Sequence, residues 1–326
     1  MMAKRNINEF MSKYMLALIL VFLIIIISLA NKSFLTTNNI LNILRTMSMK
    51  GIIAFGMTFV IIAGEIDLSI GSTIGLSGVL VGVIAGKLAE SGQMSLEVAT
   101  FVGIFAALLV GLTIGIFNGL LLTRFKMPSF IITLGMMKLV YGIAAVLAKG
   151  FPVTSLGSWY TELGAGNIFG VVPIPAIFLL VIFIISYILL KYTGFGRNVY
   201  AVGGNAEAAR LSGINVKMTR IFIMIIVQLC SVIAGVLVSS QVMSGSFSFG
   251  QGWEMTVISA VIIGGASLSG GKGKITGTLI GLAFLGVIQN AMTLIGVDNY
   301  IQYIVEGALV LIAVLFNTLQ GKKAHA

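Results

Sequence analysis

Glu65 and Asp67 stand two residues apart between two apolar runs, in Ala63-Gly64-Glu65-Ile66-Asp67-Leu68-Ser69-Ile70-Gly71. Paired carboxylates can exchange protons with a substrate. Ionisable groups at membrane depth are costly and usually mark a pathway or a structural pair. An enzyme would need further polar partners, and only Ser69, Ser72 and Thr73 follow closely. Two readings of Asp67 stand side by side. Its carboxylate caps the helix that follows by accepting orphan backbone N–H groups, or it lines a transport path with Glu65 and Ser69. Farther along, Asn118, Gln228, Gln289 and Asn290 are polar groups, and Lys138 and Glu306 lone charges, inside apolar runs. Such groups bond a neighbouring helix or a solute hydroxyl. Asn118 and Asn290 therefore join Glu65, Asp67 and Ser69 as candidate pathway or gate residues.

Other chemistries are excluded by spacing or by count. The segment Gly265-Ala266-Ser267-Leu268-Ser269-Gly270-Gly271-Lys272-Gly273-Lys274 invites a phosphate-loop reading. Such a loop needs Gly, four residues, then Gly-Lys-Ser/Thr. Counting back from Gly271-Lys272 reaches Ala266, from Gly273-Lys274 Leu268, and neither lysine precedes Ser or Thr. The chain thus has no visible nucleotide site, and energy for any pumping comes from elsewhere. A single cysteine, Cys230, and a single histidine, His325, leave no multi-thiolate or histidine-based metal centre, no disulfide scaffold and no histidine acid–base pair within one chain. The reading is a protein that is not an enzyme and carries no cofactor of its own.

The elements that would position these residues are membrane helices. Of 326 residues, 58% are hydrophobic and only 9% charged, against roughly 25% charged in soluble domains. Too little polar surface remains to face water, so the solvent is lipid. Ten apolar runs occupy 15–30, 43–63, 68–86, 98–122, 130–148, 173–190, 218–241, 255–266, 275–295 and 301–319. Most approach the length needed to cross ~30 Å of hydrocarbon, and the run at 255 is short enough to be re-entrant or broken. The fold class is an all-α polytopic membrane protein of about ten transmembrane helices, a single domain over 1–326.

The net charge of +10 does not indicate nucleic acid, because the basic residues sit mostly at the ends of apolar runs. With the N-terminus inside, fourteen of twenty fall inside: Lys4, Arg5, Lys13, Arg124, Lys126, Lys191, Arg197, Arg210, Lys217, Arg220, Lys272, Lys274, Lys322 and Lys323. Lys32, Arg45, Lys50, Lys87, Lys138 and Lys149 remain for the outside and the helix bodies. Both termini are then cytoplasmic. The long outside loop 150–172, with Trp159 and Tyr160, is expected at a membrane interface or as a docking rim. Glycines and alanines four apart, as in Gly103, Ala107, Gly111, Gly115 and Gly119, predict closely packed helices.

One long water-compatible segment interrupts the second half, 191–217, with a short helix expected over Ala206–Leu211. A polar helix wedged between two spans is a place for another protein to take hold. Here Gly203-Gly204-Asn205-Ala206-Glu207-Ala208-Ala209-Arg210-Leu211-Ser212-Gly213-Ile214 resembles the cytoplasmic Glu-Ala-Ala-x-x-x-Gly loop of bacterial ABC importer permeases, in detail those of the ribose/xylose/galactose type. Gly56-Met57-Thr58-Phe59-Val60-Ile61 followed by Ile66-Asp67-Leu68-Ser69-Ile70-Gly71-Ser72 is similar to that family, as are Pro128-Ser129-Phe130-Ile131-Ile132-Thr133-Leu134-Gly135 and Gly264 to Gly273 with Gly277-Thr278. The likeness runs over about 15–318. Glu65 departs from it, standing where the family commonly has glycine, and Thr256 stands where Asp is frequent.

The resemblance implies a monosaccharide importer's membrane subunit in the bacterial cytoplasmic membrane. Its partners would be a second permease copy, identical or paralogous, ABC ATPase subunits holding ATP and Mg, and an extracytoplasmic sugar-binding protein. Asn205, Glu207, Ala208, Ala209 and Gly213 would couple to the ATPase, the two alanines thinning one side of the helix to enter a groove. The competing expectation is a stand-alone ion-coupled transporter or channel using Glu65, Asp67 or Glu306.

Overall fold

The computed structural model describes residues 2–323, so His325 lies outside the described residues. The chain is helical nearly throughout: α1 Met2–Ala30, α2 Thr37–Ile62, α3 Ile70–Glu90, α4 Leu96–Arg124, α5 Ser129–Leu147, α6 Thr161–Ala165, α7 Ile174–Tyr192, α8 Gly194–Gly204, α9 Ala206–Leu211, α10 Val216–Val242, α11 Trp253–Ile263, α12 Ile275–Leu294 and α13 Asn299–Lys323. Two-residue strands, Asn167–Ile168 and Val172–Pro173, pair between α6 and α7. Among the described residues, seven helices are long and apolar enough to cross a membrane, namely α2, α3, α4, α5, α7, α10 and α12. Shorter apolar segments lie at Leu16–Ala30, in α11 and at Asn299–Ile312. These ten coincide with the ten apolar runs, and the protein is a polytopic helical membrane bundle.

The core lies where the helices are most enclosed. Every residue of α2 from Ser48 to Ile62 is buried, and α2 packs on α7, α10, α11 and α12. The outer helices α4, α5 and α7 expose rows of Phe, Ile and Leu, such as Phe101, Phe105, Ile131, Ile184 and Ile188. In lipid this costs nothing, because hydrocarbon is as apolar as a core. What holds the helices together is close approach. A Cβ on Gly103 would lie 2.7 Å from the Val81 carbonyl, and one on Gly115 2.6 Å from Ile225 Cα. The α4 stripe thus seats that helix directly on the backbones of α3 and α10.

The loop 150–172 is less open than its position between spans suggests. Tyr160 is fully buried, with its hydroxyl 3.0 Å from the Val236 carbonyl and 2.6 Å from Ser239 Oγ. Trp159 stacks on Phe101 at 3.9 Å between ring centroids and donates Nε1–H to the Glu97 carbonyl. Both rings are used to fold the loop back onto α4 and α10, since a buried phenol needs a hydrogen-bond partner.

Basic residues gather at one end of the bundle, where α2, α4 and α7 finish and α10 begins. Arg124, Lys126, Lys191, Arg197, Arg210, Lys217 and Arg220 belong to it. We call this the basic end.

Candidate functional site

The polar segment at the basic end is built as three helices joined by side-chain caps. Thr193 Oγ accepts from Gly196 N–H at 3.2 Å and starts α8. Asn205 is extended, at φ −160°, ψ 103°, and its Oδ1 accepts from Ala208 N–H at 2.9 Å to start α9. Asn215 Oδ1 accepts from Met218 N–H at 3.0 Å to start α10. Each cap satisfies a donor that a helix start leaves orphaned, an effect of about 1 kcal/mol. Gly213 follows α9 at φ +83°, a left-handed conformation that glycine adopts at no steric cost. The predicted helix Ala206–Leu211 is therefore present with those bounds.

Within α9, Glu207 occupies the first turn and Arg210 the last, each at the end whose partial charge suits it. They also bind one another, Arg210 Nε to Glu207 Oε2 at 3.1 Å and Nη2 to Oε1 at 2.5 Å. The Arg210 guanidinium holds the Glu207 carboxyl below the usual carboxylate range. Ala209 is buried while Ala208 is exposed. The two alanines thus do not thin one common side: Ala209 seats α9 on the bundle and Ala208 faces outward. Leu211, which sequence reasoning passed over, is 74% exposed. Its signal was an apolar residue closing a polar helix.

Three contacts weld this segment to the membrane helices. A Cβ on Gly203 would fall 1.7 Å from the Ile62 carbonyl, so only glycine lets α8 meet the end of α2. That carbonyl accepts from Gly271 N–H at 2.8 Å, and Tyr200 Oη donates to the Gly273 carbonyl at 2.8 Å. The glycine-rich stretch 265–274 serves here as a latch between α2, α8 and α12. Third, Arg220 Nε lies 3.0 Å from Glu65 Oε1, and Ser129 Oγ accepts from Ile66 N–H at 3.1 Å. Burial pushes the Glu65 carboxyl above the usual range, and Ser129 and Arg220 pull it part of the way back. Glu65, Lys126, Glu207, Arg210, Lys217 and Arg220 together line a cleft of about 570 Å³ beside α9.

Asp67 and Ser69 point the other way, into the bundle. Asp67 Oδ1 accepts from Ser69 N–H at 2.8 Å and from Ser69 Oγ–H at 2.6 Å. Gln228 Nε2 donates to Asp67 Oδ2 and to Ser69 Oγ, both at 2.8 Å. Thr73 Oγ1 donates to Gln228 Oε1 at 2.6 Å, and Asn118 Nδ2 reaches Ser69 Oγ at 3.3 Å. All five residues are essentially inaccessible. They form one network joining the start of α3 to α4 and α10, with Gln228 at its centre. Within this network, among the described residues, only Asn118 Oδ1 lacks a partner.

Asn290 lies apart from these, at the opposite end. It exchanges two hydrogen bonds with Asn39, at 2.8 and 2.9 Å. Both line a cleft of about 420 Å³ between α2, α12 and α13, with Asn42, Gln289 and Gln302. Lys50, left by the charge count to the outside or a helix body, lines this cleft and donates to Gln289 Oε1 at 2.9 Å. Thr256, on α11, donates to Glu306 Oε2 at 3.3 Å.

A family model described as branched-chain amino acid transport system / permease component matches residues 39–314. The ribose import permease protein RbsC of Bacillus subtilis is 43% identical over 297 residues, covering 90% of this chain and 89% of its own. RbsC of Haemophilus influenzae is 37% identical over 322 residues, 98% of this chain and 97% of its own. The L-arabinose ABC transporter permease protein AraH of Azospirillum brasilense is 35% identical over 311 residues, 95% and 89%. No solved structure matches the chain. With a family model spanning most of its length and relatives of this identity end to end, the protein belongs to this family of transport-system permease components.

Proposed function

We propose that the chain is the membrane-spanning subunit of an ATP-driven monosaccharide importer, with α9 as the element that takes up motion from a separate ATPase. The observation that carries the reading is the weld around α9. Short capped turns tie α9 to α8 and α10, and these in turn meet the end of α2 at Gly203–Ile62 and the loop after it through the Glu65–Arg220 pair, which couples α9 to the central helix. A force on its exposed face, Glu207, Ala208 and Leu211, therefore reaches the central helix. ATP and Mg would reside on the ATPase. Closing and opening of two such ATPase subunits would shift the path between its two accesses.

The basic end faces the cytoplasm in this proposal, as the positive-inside rule requires, in the inner membrane of a bacterium. The chain acts beside a second permease copy, and a sugar-binding protein delivers substrate at the end where Asn290 and Asn39 lie. Asn290 then belongs to the entrance and Glu65 to the exit. Asp67, Ser69 and Asn118 hold the helices between them. The relatives' names support ribose or arabinose as the cargo class.

Uptake into proteoliposomes holding the permease, its ATPase and its binding protein tests this. Labelled ribose or arabinose should accumulate only with ATP on the ATPase side. Accumulation without ATP, lost on collapsing an ion gradient, would replace the proposal by an ion-coupled carrier.

A further inference from the structure

Between α10 and α11 the chain enters the membrane without forming a helix. Gly245 pairs with Val153 at the end opposite the basic one. The segment then runs down α3, so closely that a Cβ on Gly75 would lie 2.7 Å from the Phe247 carbonyl and one on Gly71 2.5 Å from the Gly250 carbonyl. Helix α11 begins only at Trp253 and has 11 residues, about 16 Å of rise, roughly half the hydrocarbon thickness. Trp253 and Glu254 therefore lie near mid-depth. Two other elements agree: Lys50, near the middle of α2, stands 5.6 Å over the Trp253 ring, and Lys138 is central in α5.

Non-helical backbone at this depth is tolerated only if it is buried in protein or lines a wet cavity. Ser248, Gln251 and Gly252 are exposed, which leaves the second. A cavity of about 300 Å³ opens there, bounded by Ser72, Lys138, Tyr141, Gln251 and Glu254. The dipole of α11 supports a charge on Glu254 in its first turn. Nothing comparable supports Lys138, which is exposed and has no carboxylate within ion-pair distance among the described residues. An ammonium at mid-depth on a lipid-facing surface is costly, so this face is wet.

We propose that this cavity is a substrate subsite midway along the transport path, shaped for the hydroxyl groups of a neutral sugar ring. The Glu254 carboxylate accepts from adjacent hydroxyls, the Lys138 ammonium donates to others, and the Gln251 amide can do both. The Tyr141 ring, held edge-on against Phe247 at 5.4 Å, offers an apolar wall to the ring's C–H face. Its volume suits a single small solute. The inference rests on the sugar-importer reading and adds the place where the sugar pauses.

The test uses the reconstituted complex with Lys138→Met, Glu254→Gln and Gln251→Cys. Methionine is the replacement a lipid-facing site would welcome. Sugar uptake should fall about tenfold in Lys138→Met and Glu254→Gln, with ATPase co-purification unchanged. The Gln251→Cys variant should react with a water-soluble maleimide, and ribose or arabinose should slow that reaction. Wild-type sugar uptake matched by both charge variants would overturn the subsite while leaving the importer reading intact. So would protection of the cysteine by leucine but not by sugar, or a cysteine inert to the reagent. Absent uptake of sugar by the wild-type complex would instead overturn the importer reading.

Discussion

Glu65 and Asp67 are separated by one residue and end in opposite surroundings. Glu65 turns toward the basic-end cleft and pairs with Arg220, which is itself 28% exposed. Asp67 turns inward to neutral donors and meets no cation among the described residues. The difference follows from where the loop meets its neighbours. Ile66 is pinned by Ser129 and by Thr133, whose hydroxyl donates to the Ile66 carbonyl at 3.3 Å, so the acids on either side of it part. A sealed, nearly satisfied network fixes helices in place. The pair at the edge of the cleft holds its helices more weakly, because Arg220 is partly solvated.

Substitutions should separate the two surroundings by size of effect. Asp67→Leu should be the most damaging, leaving Ser69 and Gln228 donors unpaired in the core at about 3 kcal/mol in total. It should appear as a lower Tm and loss of monodisperse protein in detergent. Gly203→Val comes next, at about 2 kcal/mol from forced separation of α8 and α2, with uptake lost before the fold. For Glu65 and Arg220, a double-mutant cycle to alanine should give a coupling of about 1 kcal/mol, reduced from a buried pair by the exposure of Arg220. Glu207→Lys should leave stability within about 0.5 kcal/mol of wild type and still lower ATPase co-purification about tenfold. Equal effects of Asp67→Leu and Glu65→Ala on Tm would erase the contrast.

Much of this was readable along the chain. Apolar runs located ten helical segments, and the change from oil to Asn-Ala-Glu-Ala-Ala-Arg located α9 to the residue, because both signals are local. The short run at 255 was visible too. That a glycine-serine segment completes its span was not, since depth is set by contact with α3. Pairings across the sequence were out of reach: Asp67 and Gln228 lie 161 positions apart, and no periodicity says which polar residue will meet which. Burial of Tyr160 was hidden for the same reason, its partners lying on α10. Lys50 looked like one basic residue among twenty until α12 and α11 closed around it.

The central claim is that α9 is the point where an ATPase drives the helices. Co-purification of the ATPase with the Leu211→Asp permease, scored beside ATP-dependent uptake, tests it most directly. Leu211 has almost no burial to lose, so the permease should fold as wild type. The account predicts that the ATPase dissociates and uptake stops. An ATPase retained at wild-type level with uptake undiminished would contradict it.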